Sequence, residues 1–87
     1  MIRGARAILR FTFPSEREAE IISKSILPET EATARYRSRV KATREGNRVT
    51  LTFESKDTTA LRASINSYLS WIILLRGVYS FLESQER

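Results

Sequence analysis

Cysteine and histidine are both absent from this sequence of 87 residues, and each absence excludes a class of protein. Without cysteine there is no disulfide framework and no zinc ribbon. Without histidine there is no imidazole metal site and no Ser-His-Asp triad, and the commonest general base is missing. We therefore expect a protein that is not an enzyme and that carries neither a metal nor a cofactor.

Long apolar runs are lacking as well. The longest is Trp71–Leu75, which is far shorter than the roughly 20 residues that span a bilayer. Residues 1–6 also lack the uninterrupted apolar stretch of a secretory signal. With the absence of cysteine, these features predict a soluble cytoplasmic protein that does not enter a membrane.

The length limits the hydrophobic core. A chain of this size makes one domain, here residues 1–87, and buries only about 60% of the surface that its unfolded form exposes. Small natural domains gain stability from disulfides, metals or oligomerisation. The first two are excluded by composition, so we expect an oligomer.

Alternating apolar and polar residues predict three strands. The first covers residues 4–13 and the second residues 33–44. The third follows the turn Glu45-Gly46-Asn47 and points Val49, Leu51 and Phe53 inward. The last two strands therefore form a β-hairpin.

Two helices are predicted from their end signals. Ser15 and Glu18 have the spacing of a capping box, in which the Glu18 carboxylate reaches back, and they open a helix that runs from residue 16 to 27 and ends at Pro28. Asp57 or Thr58 caps a second helix over residues 59–84. The order strand, helix, strand, strand, helix predicts an α+β fold, in which both helices pack on one face of a three-stranded antiparallel sheet.

The last helix has two apolar stripes. The first has the heptad-like spacing of a core stripe and is predicted to face the sheet; it consists of Leu61, Ile65, Tyr68, Ile72, Leu75 and Tyr79. The second consists of Trp71, Leu74, Val78 and Phe81. Either the first helix covers this second stripe, or it is an exposed apolar patch of the kind that marks an interaction site. We favour the interaction site.

Residues 61–72 resemble a known signature. They read Leu-Arg-Ala-Ser-Ile-Asn-Ser-Tyr-Leu-Ser-Trp-Ile and are similar to the Arg-Ala-x-x-Asn-Ser-hydrophobic-Leu-x-Trp/hydrophobic pattern of the small dimerisation subunit of the KEOPS complex. The element order and the Phe13-Pro14-Ser15 entry to the first helix are similar too. Ser70 departs from the pattern, because many relatives have arginine there.

The resemblance implies a function. Members of that family lack an active site, form homodimers through their sheets, and dock the threonylcarbamoyl-transferase subunit on their helices. Through that subunit they join the kinase/ATPase subunit in making threonylcarbamoyladenosine in tRNA. Carried over by position, Arg62, Asn66 and Ser67 match the signature. Trp71, Leu74 and Val78 lie where the docking helix presents its apolar face, and Phe81 completes that stripe.

Basic residues dominate the other face of the predicted sheet, in a chain whose net charge is +5. The alternation places on it Arg6, Arg10, Arg35, Arg37, Arg39, Lys41 and Arg48. Glu54 is the only carboxylate expected among them. This face is either a contact surface for tRNA phosphates or a solvated surface whose charges prevent aggregation.

A free-standing KH-like RNA-binding module is the alternative function, because such modules have a similar α+β layout. They clamp nucleotides with a GXXG loop. The three glycines, Gly4, Gly46 and Gly77, do not have that spacing. The scaffold function is therefore the better supported of the two.

Overall fold

The computed structural model describes residues 4–33 and 38–85. Within them the chain forms three strands and two helices in the order β-α-β-β-α, which confirms the predicted α+β class. The elements are β1 (Ala5–Thr12), α1 (Glu16–Thr33), β2 (Ser38–Glu45), β3 (Arg48–Ser55) and α2 (Thr58–Gln85).

The sheet is antiparallel, with strand order β1-β3-β2. In its middle row, Leu51 of β3 lies opposite Leu9 of β1 and Ala42 of β2. Val49 and Phe53 lie on the same side of β3 and are fully buried, as the alternation predicted. The register therefore sends one face of the sheet toward the helices and the other toward solvent.

The hairpin turn also holds the end of β1. Gly46 has a φ of 62°, a left-handed conformation that glycine adopts without steric cost. The side chain of Asn47 donates from Nδ2 to the Phe13 carbonyl oxygen at 2.9 Å, and the Phe13 N–H donates to the Asn47 carbonyl oxygen at the same distance. These two bonds join the turn to the entry of α1.

Helix α1 begins as predicted but ends later. The Ser15 hydroxyl accepts from the Glu18 N–H at 3.1 Å, which caps the first turn. The predicted end at Pro28 is wrong, because the helix continues to Thr33. Proline removes one backbone hydrogen bond and its ring crowds the carbonyl four residues earlier, which kinks a helix without having to end it. The five residues that follow Pro28 include neither Gly nor a second Pro.

The second strand is shorter than predicted. β2 begins at Ser38, whereas Thr33 is helical, so the predicted start of the strand at residue 33 is wrong. Residues 34–37, which include Arg35 and Arg37, lie outside the described residues. The remainder of the strand, up to Glu45, keeps the predicted alternation.

Both helices pack on the inner face of the sheet, and a single core lies between them. Helix α1 contributes side chains three and four residues apart, and β3 contributes every second side chain. The buried apolar residues are Phe13, Ala19, Ile22, Ile26, Val40, Val49, Leu51, Phe53, Tyr68 and Ile72. Burying each large apolar side chain contributes about 1.5–3 kcal/mol before the entropy of folding is subtracted.

Helix α2 is longer than the sheet beneath it. Asp57 is its cap, since its Oδ1 accepts from the Ala60 N–H at 2.8 Å. With 28 residues the helix is about 42 Å long, whereas a strand of 8 residues is about 26 Å long. From Arg76 to the last described residue, every residue except Tyr79 is exposed. The second half of α2 therefore extends past the core.

Candidate partner-docking surface

An apolar surface lies on the second half of α2. It consists of Ile73, Leu74, Gly77, Val78 and Phe81, which together line one shallow, open depression. The four large side chains are exposed to 70%, 64%, 48% and 62% in that order. We call this set the α2 apolar surface. Since most of its area faces solvent, α1 does not cover the second stripe, and the stripe remains available to a partner.

Trp71 has a different position from the other residues of its predicted stripe. Its ring centroid lies 6.0 Å from that of Tyr68, and the side chain is partly buried against the core. Leu74 and Val78, one and two turns further along, are exposed. Trp71 therefore lies between the core and the α2 apolar surface and packs against the core.

The signature residues occupy the same side of the helix. At about 100° per residue, Asn66, Ser67 and Ser70 lie within the arc that Ile73 and Val78 bound, and Arg62 lies just beside it. All four signature positions are exposed. Helix α2 therefore presents one continuous face, polar in its first half and apolar in its second.

Ile73 is a functional candidate that the sequence interpretation missed. It belongs to neither of the two apolar stripes predicted from the sequence, yet it is the most exposed large apolar side chain of the α2 apolar surface. Its position four residues before Gly77 and eight before Phe81 was the signal that could have identified it. A helix face repeats at intervals of three and four residues.

An ion pair between the two helices was also missed. The Arg76 Nε donates to Glu18 Oε2 at 2.6 Å, and the side chains are 49% and 6% exposed, respectively. The Glu18 carboxylate is thus directed to α2 rather than back along α1. The Arg76 guanidinium also lies 5.8 Å from the Phe13 ring centroid. These contacts fix the angle at which α2 crosses the start of α1.

A crevice between β1 and α2 adjoins the α2 apolar surface. Its wall includes Arg10 of β1 and Arg76 and Ile73 of α2. Two guanidinium groups therefore lie beside the apolar surface. A partner that covers this region meets positive charge at its edge.

Five of the seven predicted basic residues lie, exposed, on the outer face of the sheet. They are Arg6, Arg10, Arg39, Lys41 and Arg48. Glu54 of β3 pairs across the strands with both Arg6 and Arg39. The expectation that Glu54 is the only carboxylate here is wrong, because Glu45 ends β2 opposite Arg48 on the same face.

On the helix side of the sheet, the charges of Lys24 and Arg44 stabilise the Glu20 carboxylate. Lys24 Nζ lies 3.1 Å from Glu20 Oε2, one helical turn away. The hydrogen bond and charge of Lys24, with a weaker contribution from the charge of Arg44, lower the pKa of Glu20. Arg44 also donates to the Gly46 carbonyl oxygen at 2.8 Å. These cations thus interact with groups of the chain itself.

Within 4–33 and 38–85, no three Asp or Glu side chains cluster closely enough to hold a metal ion. Neither helix of that part of the chain combines the length and apolar character needed to cross a bilayer.

Comparison with known proteins gives concordant results. A family model described as "Transcription factor Pcc1" matches residues 6–80. The KEOPS complex subunit Pcc1 of Pyrococcus abyssi (strain GE5 / Orsay) is 47% identical over 60 residues, which cover 69% of this chain and 73% of that protein. A chain in the crystal structure of a binary complex Gon7-Pcc1 has the same fold. Its TM-score is 0.79 at 24% identity, covering 90% of this chain and 95% of the other.

These matches disfavour the KH-like alternative and confirm the resemblance predicted from residues 61–72. The matched region covers the three strands and two helices except for Ala5 of β1 and residues 81–85 of α2. The chain belongs to the Pcc1 family.

Proposed function

We propose that this chain is a non-catalytic scaffold subunit of a KEOPS complex and that α2 is its docking element. The relative from Pyrococcus abyssi is named as a subunit of the KEOPS complex. The exposed face of α2 carries the proposal, because a small domain gains nothing from leaving four large apolar side chains in water. A partner that covers them supplies the missing burial.

The partner that docks there is the threonylcarbamoyl-transferase subunit, and through it the kinase/ATPase subunit joins the assembly. Covering the exposed area of Ile73, Leu74, Val78 and Phe81 yields about 1–2 kcal/mol for each side chain. Gly77 lies among them without a side chain, so a partner helix can approach the backbone of α2 closely. The apolar part of the contact thus supplies most of the affinity.

The polar half of the same face supplies specificity. Arg62, Asn66 and Ser67 present a charge, an amide and a hydroxyl, and a partner must match them with hydrogen-bonding groups or leave buried polar groups unpaired. Arg10 and Arg76 add positive charge at the edge of the apolar half. The complementary surface is therefore apolar at its centre and acidic at its rim.

A second copy of the chain is the other partner. A domain of this length has a thin margin of stability. In the described sheet β1 and β2 each pair with β3 alone, so each has an open edge to which another strand can add. The resulting homodimer holds two transferase subunits together and supports the modification of tRNA to threonylcarbamoyladenosine.

The docking proposal is tested with Leu74→Glu/Phe81→Glu. This double variant places two carboxylates on the α2 apolar surface and is expected to weaken binding to the transferase subunit at least about 100-fold, measured by isothermal titration calorimetry. Light scattering of the free chain measures its oligomeric state in the same samples.

The matched control is Ile8→Glu/Ile21→Glu, which adds the same two charges at exposed apolar positions on β1 and α1. It is expected to keep the affinity within about threefold. Undiminished binding by Leu74→Glu/Phe81→Glu, or an equal loss in the control, would show that α2 is not the docking element.

A further inference from the structure

The outer face of the sheet carries an excess of positive charge. Its described cations come from all three strands: Arg6, Arg10, Arg39, Lys41 and Arg48. Two carboxylates, Glu45 and Glu54, lie among them, so five positive charges face two negative ones. The helix side of the molecule differs, since there Lys24 and Arg76 each pair with a carboxylate.

The arrangement of the charges has a definite shape. The middle strand presents the short side chains Thr50 and Thr52 along the centre of the face. Arg10 of β1 lies beside Thr50, and Lys41 of β2 lies beside Thr52 on the opposite side of the middle strand. Since neighbouring strands are about 4.8 Å apart, the two rows of cations are about 10 Å apart. The face is thus a shallow trough lined by hydroxyls and bordered by cations.

We propose that this outer face binds the phosphate backbone of double-stranded RNA without reading its sequence. Arginine and lysine on opposite sides of the trough contact successive phosphates. The threonine hydroxyls between them donate to phosphate oxygens or pair with 2′-hydroxyl groups, which line the accessible groove of an RNA helix.

The composition of the face favours a duplex over a single strand. Single-stranded RNA is held by aromatic side chains on which bases stack. The described outer-face positions of the three strands carry no aromatic residue, and Ile8 is their large apolar side chain. The contact therefore depends on backbone charge and shape.

The proposal is separate from docking to the transferase subunit, because it uses the opposite side of the molecule. The α2 apolar surface lies on the helix layer, whereas Arg6, Arg39, Lys41 and Arg48 lie on the face of the sheet that no helix covers. Arg10 also borders the crevice beside α2, and the variants used below leave it unchanged. A variant can therefore lose RNA binding and still bind the transferase subunit, or the reverse, so the two proposals can fail independently.

The test uses the full-length chain and a fluorescein-labelled RNA hairpin with a stem of about 20 base pairs, followed by fluorescence anisotropy. If five phosphate contacts form, affinity falls roughly 500-fold between about 50 and about 200 mM salt, because each contact contributes about 0.9 to the logarithmic slope. Arg39→Gln/Lys41→Gln removes two contacts. Its affinity is expected to be at least about tenfold lower at low salt, and the fall with salt is then roughly 40-fold.

Arg17→Gln/Lys24→Gln is the matched control, since it removes one arginine and one lysine from exposed positions on α1. It is expected to keep both the affinity and the salt slope of the parent chain. Circular dichroism verifies that each variant folds. If Arg39→Gln/Lys41→Gln does not fold, Arg6→Gln/Arg48→Gln repeats the test with cations on β1 and β3.

Several results would overturn the proposal. One is an absence of RNA binding at about 50 mM salt, and another is a loss of affinity in the α1 control equal to that in Arg39→Gln/Lys41→Gln. Tighter binding of a DNA duplex of the same sequence, or self-association through this face, would also overturn it. Self-association is recognised by light scattering, because pairing of two like-charged faces becomes stronger as salt rises. Tighter binding of single-stranded RNA than of the hairpin would likewise contradict the assignment to a duplex.

Discussion

Arg76 donates a hydrogen bond to Glu18 across the gap between the two helices, at 2.6 Å from Nε to Oε2, although 58 residues separate them in the sequence. The carboxylate is nearly buried, and the guanidinium is half exposed. The contact thus stabilises a charge that the fold has largely removed from water. It also sets where α2 leaves the core, and hence how the α2 apolar surface is presented.

Replacing Arg76 by Ala is expected to lower the free energy of unfolding by about 2 kcal/mol, because a nearly buried carboxylate loses its charged hydrogen-bond donor. Urea unfolding monitored by circular dichroism measures this loss. In a double-mutant cycle with Glu18→Gln, the second substitution is expected to cost less in the Arg76→Ala background than in the parent chain. Additive effects of the two substitutions would show that the pair contributes no coupling energy.

Gly4→Ala is expected to destabilise the fold by about 2–3 kcal/mol. Gly4 has a φ of 147°, and a Cβ added there would lie 2.0 Å from the Lys56 carbonyl oxygen, which is main chain and has little room to move. The start of β1 must therefore separate from the end of β3. Thermal unfolding measures the effect, and an unchanged midpoint would contradict the clash.

Gly77→Ala, unlike Gly4→Ala, is expected to stabilise the fold. Within the described residues nothing lies within 4 Å of a Cβ added there, and the residue is exposed inside α2. Alanine is expected to raise the free energy of unfolding by about 0.8–1 kcal/mol, because it loses less backbone entropy in a helix. A loss of stability would mean that α2 is not a regular helix at this point.

Trp71→Ala and Leu74→Ala are expected to separate core packing from docking. Trp71 packs against the core and Tyr68, so its truncation is expected to lower the free energy of unfolding by about 3 kcal/mol. Leu74 is 64% exposed, so the same change there is expected to cost less than about 0.5 kcal/mol.

The binding measurement completes that comparison. Leu74→Ala is expected to weaken binding to the transferase subunit about tenfold or more while the fold is retained. Calorimetry on chains verified as folded measures the affinity. Equal losses of stability in the two variants would contradict the division of the stripe between core and surface.

The faces of the sheet were predictable because alternation has a period of exactly two residues on a pleated strand. The inward positions of Val49, Leu51 and Phe53 follow directly from that geometry. Helix entry points were predictable for a similar reason. Ser15 and Asp57 carry short acceptor side chains that bond to the N–H groups of the first turn.

Features that depend on tertiary structure were not predictable in the same way. Pro28 is a local signal for a helix end, yet its missing N–H and the crowding by its ring do not by themselves determine where the helix stops. Likewise, angles around the axis of α2 identify its stripes but not the point at which the sheet ends beneath it. For this reason Trp71 and Leu74 were grouped together although one packs and the other is exposed. The Arg76–Glu18 contact requires the crossing of the helices to be known.

The extension of α2 past the sheet has a consequence for amide hydrogen exchange. Residues of α2 near Tyr68 and Ile72 are held by the core, so their amides exchange only in large-scale opening events. The turns after Arg76 have much less of that support, since Tyr79 is the only half-buried residue among those described there, and a free helix of so few residues is marginal in water. Their amides therefore exchange through local fraying in the free chain, and a bound partner would slow them most of all. Part of the binding energy is then used to order this helix end.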